Sequence, residues 1–104
     1  MYGHTKDWIK ATENDIAVGK ALLICCSDSN IQKTLLMLRN SRNINECVQM
    51  LETEYKISQI VSRHIANLSM AQLAGIRLEE VEETIEKERQ LLEKLHALLQ
   101  LEQS

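Results

Sequence analysis

Leu78, Val81, Ile85, Leu92, Leu95 and Leu99 recur at alternating three- and four-residue steps, and Glu88 is the polar member that interrupts the series. An apolar period of 3.5 residues is what a helix shows when it lays a seam along another helix. Leu91 and Leu98 add a flank beside the seam. Such a flank broadens the face from a two-stranded coil toward a bundle. The pattern predicts a long amphipathic C-terminal helix, the most regular feature of the chain.

The remaining pattern is helical but less even. Met1 to His4 reads as a frayed start. From Thr5, Ile9, Ile16 and Leu23 fall seven apart, with Ala17, Leu22 and Cys26 widening the stripe, Trp8 beside it, and Thr12 and Gly19 at the intermediate positions. A small residue at Gly19 lets another helix come close, although glycine weakens a helix by about 1 kcal/mol relative to alanine. Cys26-Ser27-Asp28-Ser29-Asn30 is a turn-forming run. Ser29 with Gln32, Asn43 with Glu46 and Ser69 with Gln72 each carry the spacing of a capping box. Leu68 and Leu73 stand where a hydrophobic staple would place them.

These signals predict a single all-α domain over 1–104, an antiparallel helical bundle or extended helical hairpin of three to four helices. The helices fall at about 5–26, 30–39, 44–67 and 70–100, with Gly75 either interrupting the last or dividing off a short helix before a long one from about Arg77. Within 44–67, the stripe Ile44, Val48, Leu51, Tyr55 is out of phase with Ile57, Val61, His64, Leu68. That helix is therefore either apolar on two sides or bent near Lys56.

Composition supports the helical reading. The 104 residues hold no Pro, no Phe and only three Gly, whereas strand-rich domains need many turn residues. The net charge of −3 is unevenly placed. Eight acids face four bases from Arg77 onward, and seven face eight before it. Phosphate affinity comes from Lys and Arg, so an acidic C-terminal helix argues against nucleic acid. Lys33, Arg39 and Arg42 form a mild basic patch that reads first as a solvated face. The longest apolar run, Ala21 to Cys26, is too short to span a bilayer, and no signal peptide is evident. Three cysteines, Cys25, Cys26 and Cys47, are an odd number in apolar surroundings. They predict buried thiols and a reducing, cytoplasmic setting rather than a disulfide framework.

Candidate chemistry is sparse. His4, His64 and His96 share no metal-ligand spacing with the cysteines, so neither a metal nor a cofactor is expected. His64 reads as a hydrogen-bonded core residue before it reads as a pH-sensitive contact. Glu79, Glu80, Glu82 and Glu83 look alike and solvated, and two catalytic acids need unlike environments. No phosphate loop or nucleophile elbow is present. No enzyme is expected.

Ala71, Gly75 and Val81, with Ala74 and Ile76, match helix-turn-helix spacing and resemble that motif of bacterial regulators at these positions. Gly75 would then take the left-handed turn. Four glutamates in the second helix of such a motif would oppose phosphate. Glu88 at a seam position needs a partner if buried, Arg63 or an arginine of a partner chain, and would then fix register or oligomeric state. Otherwise the seam is locally solvated there.

The reading that follows is a non-enzymatic protein-interaction module: an adaptor, a small chaperone or a subunit of a helical complex. It would dock on a protein partner or on itself, as a homodimer or hetero-complex, through Leu78, Val81, Ile85, Glu88, Leu92, Leu95 and Leu99. The alternative is a helix-turn-helix transcriptional regulator using residues 70–85.

Overall fold

A computed structural model describes residues 4–103, and it is all-helical among them. Six helices follow in order: α1 (His4–Cys25), α2 (Ile31–Asn40), α3 (Ile44–Tyr55), α4 (Gln59–Ala66), α5 (Met70–Ala74) and α6 (Leu78–Gln103). The all-α class stands, but three to four helices is too few. The expected frayed start lies outside the described residues except for His4, which is already helical.

Both extra helices arise at breaks the chain signals only weakly. The stretch expected as one helix over 44–67 ends at Lys56, which sits in the left-handed region at φ 54° and caps α3 by donating its N–H to Glu52 O. Ser58 then caps α4 by accepting from Val61 N. The out-of-phase stripes mark this break. It also resets the helical phase, so the face buried on α4 is Val61, Ser62 and Ile65, while His64 is exposed and not a core residue. Ser69 and Gln72 form a complete capping box on α5, and Asn43 accepts from Glu46 N on α3. Ser29 does not cap α2; its N-cap is Asn30, without a side-chain hydrogen bond. Asn30 instead donates to Ile24 O at 3.0 Å, tying the turn to the end of α1.

Chain ends meet along the longest pair. Thr5 Oγ1 donates to Glu102 Oε1 at 2.8 Å, and Gly19 lies against Ile85, so α1 and α6 run antiparallel. The α1 positions buried against α6 are Thr5, Ile9, Thr12, Ile16 and Gly19, again at steps of four and three. A Cβ on Gly19 would stand 2.8 Å from Ile85 Cγ1, closer than carbon atoms tolerate. Gly19 is the close-approach point that sets how near the two helices lie.

Helices α2 to α5 cover the other face of the C-terminal half of α1. Ala21 and Cys25 of α1, with Cys26 just after it, meet Met37 of α2, Cys47 and Leu51 of α3, Val61 and Ile65 of α4, and Leu73 of α5 in one buried cluster. Thr34, fully buried, links three of these pieces. Its hydroxyl donates to Cys25 O at 2.8 Å and lies 2.6 Å from Tyr55 Oη, which has the second proton to give. The result is an elongated body of 52 × 28 × 20 Å, with a small bundle at one end of a two-helix rod.

Candidate functional site

The seam predicted on the C-terminal helix follows the side of α6 that faces α1, with Leu78 at its inner end packed against the core cluster. Ile85 and Leu95 are buried, and Leu78, Val81, Glu88, Leu92 and Leu99 are half-buried. The seam is thus filled within the chain, by α1. Sequence periodicity locates the seam but not its partner, because α1 contributes Thr5, Thr12 and Gly19 to it, residues that do not register as apolar.

Two glutamates share that seam. Glu102 Oε1 is held by Thr5, while Glu102 Oε2 and Glu88 Oε2 are buried with no hydrogen-bond partner among the described residues. Arg63 is not the partner of Glu88; its guanidinium donates to Asn45 Oδ1 at 3.2 Å. Burial, and after it the nearby Asp15 carboxylate, push the Glu88 carboxyl above its ordinary value. A raised folded value means that protonation favours the fold. This contribution is complete below 4.5, the ordinary value, and is lost as pH rises through the raised one. Glu88→Gln should therefore be more stable than the native chain at pH 7, and the gap should close toward pH 4. Glu88→Leu should gain about 1–2 kcal/mol at pH 7 by apolar burial. Paired urea titrations at the two pH values measure both; a gap that does not depend on pH would leave Glu88 outside the seam.

Cysteines 25, 26 and 47 are free and buried. Burial, with the neighbouring Cys26, pushes the Cys25 thiol up to about 12. Such a thiol is a small apolar residue rather than a nucleophile. Among the described residues, no group of three His, Cys, Asp or Glu side chains could hold a metal ion. No described helix is long and apolar enough to cross a membrane. The turn at residue 75 is not left-handed: Gly75 has φ −87° and ψ −3°, and α5 before it is five residues long.

What the seam leaves uncovered is its flank. A groove of about 460 Å³ runs between α1 and α6 beside α4, lined by Asp15 and Leu22 of α1, Arg77 just before α6, Glu80, Thr84 and Glu88 of α6, and His64 of α4. Seven residues make two helical turns, with only about 20° of drift. Stepping back from Leu22 and Asp15 reaches Trp8; stepping on from Arg77 and Thr84 reaches Leu91 and Leu98. All seven positions therefore lie on one side of the rod. Beyond the bundle, that side carries Trp8 at 62%, Leu91 at 44% and Leu98 at 46% exposure. Leu98 and Leu91 were legible as a flank; the place of Trp8 opposite them follows only once α1 and α6 are known to pair antiparallel.

The chain matches no family model, no curated protein and no solved structure.

Proposed function

We propose that the chain is a non-enzymatic interaction module that takes an amphipathic helix of a protein partner into the groove between α1 and α6. Adaptor, small chaperone and complex subunit are all roles for such a module. The observation that carries the reading is the alignment of Trp8, Leu91 and Leu98 on one side of a hairpin whose own seam is already occupied. Isolated exposed leucines are ordinary on protein surfaces. An aligned apolar strip that includes a tryptophan is what helix-in-groove recognition uses, with aromatic side chains as anchors. The face read from the sequence thus shifts by one position: the seam residues build the wall, and their neighbours meet the partner.

Trp8 is the chain's sole tryptophan, so its fluorescence reports on this face directly. A helical peptide of about 21 residues, leucine-faced and with glutamine at every flanking position, should shift Trp8 emission to the blue on binding. Leu91→Ser with Leu98→Ser, both at exposed positions, should leave helicity intact and weaken that binding about ten-fold or more. If no leucine-faced peptide of any flanking charge disturbs Trp8, the module reading is wrong.

A further inference from the structure

We infer that the groove between α2 and α5 is a second docking surface, which takes a short acidic segment of another protein with its leucines on the apolar floor and a carboxylate on Arg39. This site goes beyond the α1–α6 groove and shares no lining residue with it.

The groove has a volume of about 370 Å³. Gln32, Leu35, Leu36 and Arg39 of α2 form one wall and Met70 of α5 the other. Those four α2 positions, at steps of three, one and three, share one helical face. Met37 on the same helix is buried in the core cluster instead, and Lys33 pairs with Glu54 of α3. Leu36 and Met70 are both exposed and meet at one cleft, so their apolar surface is pooled where a partner can cover it. Exposed apolar side chains scattered singly carry no such meaning. Methionine adapts its shape to what it meets. From Gln32 to Arg39 the floor runs about 10 Å at 1.5 Å per residue, room for two turns of a partner helix.

Charge selects the occupant. Of the chain's fifteen acids, three stand on α1, three on α3 and eight on α6, and the last is Asp28, in the turn before α2. Neither α2 nor α5 carries one. Arg39 is the one charged residue lining the groove. It is exposed, in the last turn of α2, at the opposite end of that helix from Asp28, and has no ion pair among the described residues. Arg42, also exposed, stands three residues further on, in the turn that leaves α2. On the α3 side of α2 a matching groove holds Glu46 and Glu54 with Lys33, so charge there is answered within the chain. On the α5 side it is not. A guanidinium offers a fork of donors that a carboxylate fits. The occupant is therefore a segment with leucines three or four apart and aspartate or glutamate beside them. Complementary charge of this kind selects the partner and speeds the encounter more than it adds affinity.

An anionic membrane fits less well. Basic clusters that hold lipid headgroups carry about four to eight Lys or Arg, and the apolar floor here is a cleft between two helices rather than a projecting edge. A second copy of this chain would have to offer acids from its own α1, α3 or α6. Such a contact joins unlike surfaces, and it builds rings or open chains rather than a two-fold dimer.

The test titrates three fluorescein-labelled peptides into the full chain. Each has two leucines four apart within about three turns of helix, with Glu, Gln or Lys at the flanking positions. By fluorescence anisotropy the Glu peptide should bind about ten-fold tighter than the Lys peptide, with an advantage that shrinks as salt rises. In the isotope-labelled chain the methyl signals of Leu36 and Met70 should shift while the Trp8 indole signal stays still. Arg39→Gln with Arg42→Gln should level the three peptides, and Arg39→Glu with Arg42→Glu should reverse their order. Leu36→Ser with Met70→Ser, both at exposed positions, should keep helicity by circular dichroism and weaken the Glu peptide about ten-fold. Equal binding of the three peptides to the native chain, or shifts at Trp8 with Met70 silent, overturns the inference and leaves the α1–α6 reading standing. A mass that rises with concentration in light scattering, and that Leu36→Ser abolishes, overturns it in favour of a second copy. A shift of the Met70 methyl produced only by phosphatidylserine-containing vesicles overturns it in favour of a membrane surface.

Discussion

Leu51→Ala should remove about 2–5 kcal/mol of folding stability, the range for deleting a large buried side chain and leaving part of its volume empty. Leu51 is fully buried at the meeting point of α1, α3, α4 and α5, among Cys25, Cys47, Ile65 and Leu73. Its neighbours come from four helices tied to one another by short turns, so no single helix can move in to fill the gap. A domain of ordinary stability has about 5–15 kcal/mol in total, and this loss is a large fraction of it. The urea midpoint, read by circular dichroism, should fall accordingly with little change in slope. Leu36→Ala offers the control. Leu36 is 52% exposed on α2, and its loss should fall within about 0.5 kcal/mol of zero. Equal effects of the two substitutions would mean that the cluster under α1 is not the core.

How much of this arrangement the chain discloses in advance depends on which residues carry it. The seam of α6 is legible because aliphatic residues repeat there with one exception, Glu88. Its partner on α1 is not, although Thr5, Ile9, Thr12, Ile16 and Gly19 keep the same four-and-three spacing. A threonine whose hydroxyl bonds within its own helix, as Thr12 does to Trp8 O, behaves as an apolar residue, and a glycine at a contact point marks proximity rather than burial. The break at Lys56 shows in the sequence only as two stripes out of phase, and for a different reason. Left-handed positions usually announce themselves through Gly or Asn, and here a lysine takes one. The stripe Ile57, Val61, His64, Leu68 places His64 in the core, but on α4 Ile65 takes that place. For the candidate site, the flank of α6 is visible in Leu91 and Leu98, but which flank stays open is decided by where α2 to α5 come to rest, a long-range outcome that no local period encodes.

Leu95→Asp should unzip the outer half of the rod. Leu95 is 5% exposed in a stretch where α6 has only α1 beside it, and helices without tertiary partners are marginal at this length. Losing the leucine and burying a carboxylate with no partner together cost about 3–5 kcal/mol. The core cluster lies at the far end and does not include Leu95, so the loss should be local first. Hydrogen exchange should quicken for amides over about 8–14 and 92–100, while those around Leu51 and Ile65 keep their protection. Leu98→Asp, one turn further along and on the open flank, should leave exchange in the rod nearly unchanged. The pair therefore fixes the rotation of α6 about its own axis. If Leu98→Asp unzips the rod and Leu95→Asp does not, seam and flank are interchanged, and Leu91 and Leu98 could not be the face a partner meets. In the expected order, Leu95→Asp should also abolish the response of Trp8 to the leucine-faced peptides, because the groove exists only while both of its walls stand, whereas Leu98→Asp should weaken that response with both walls in place.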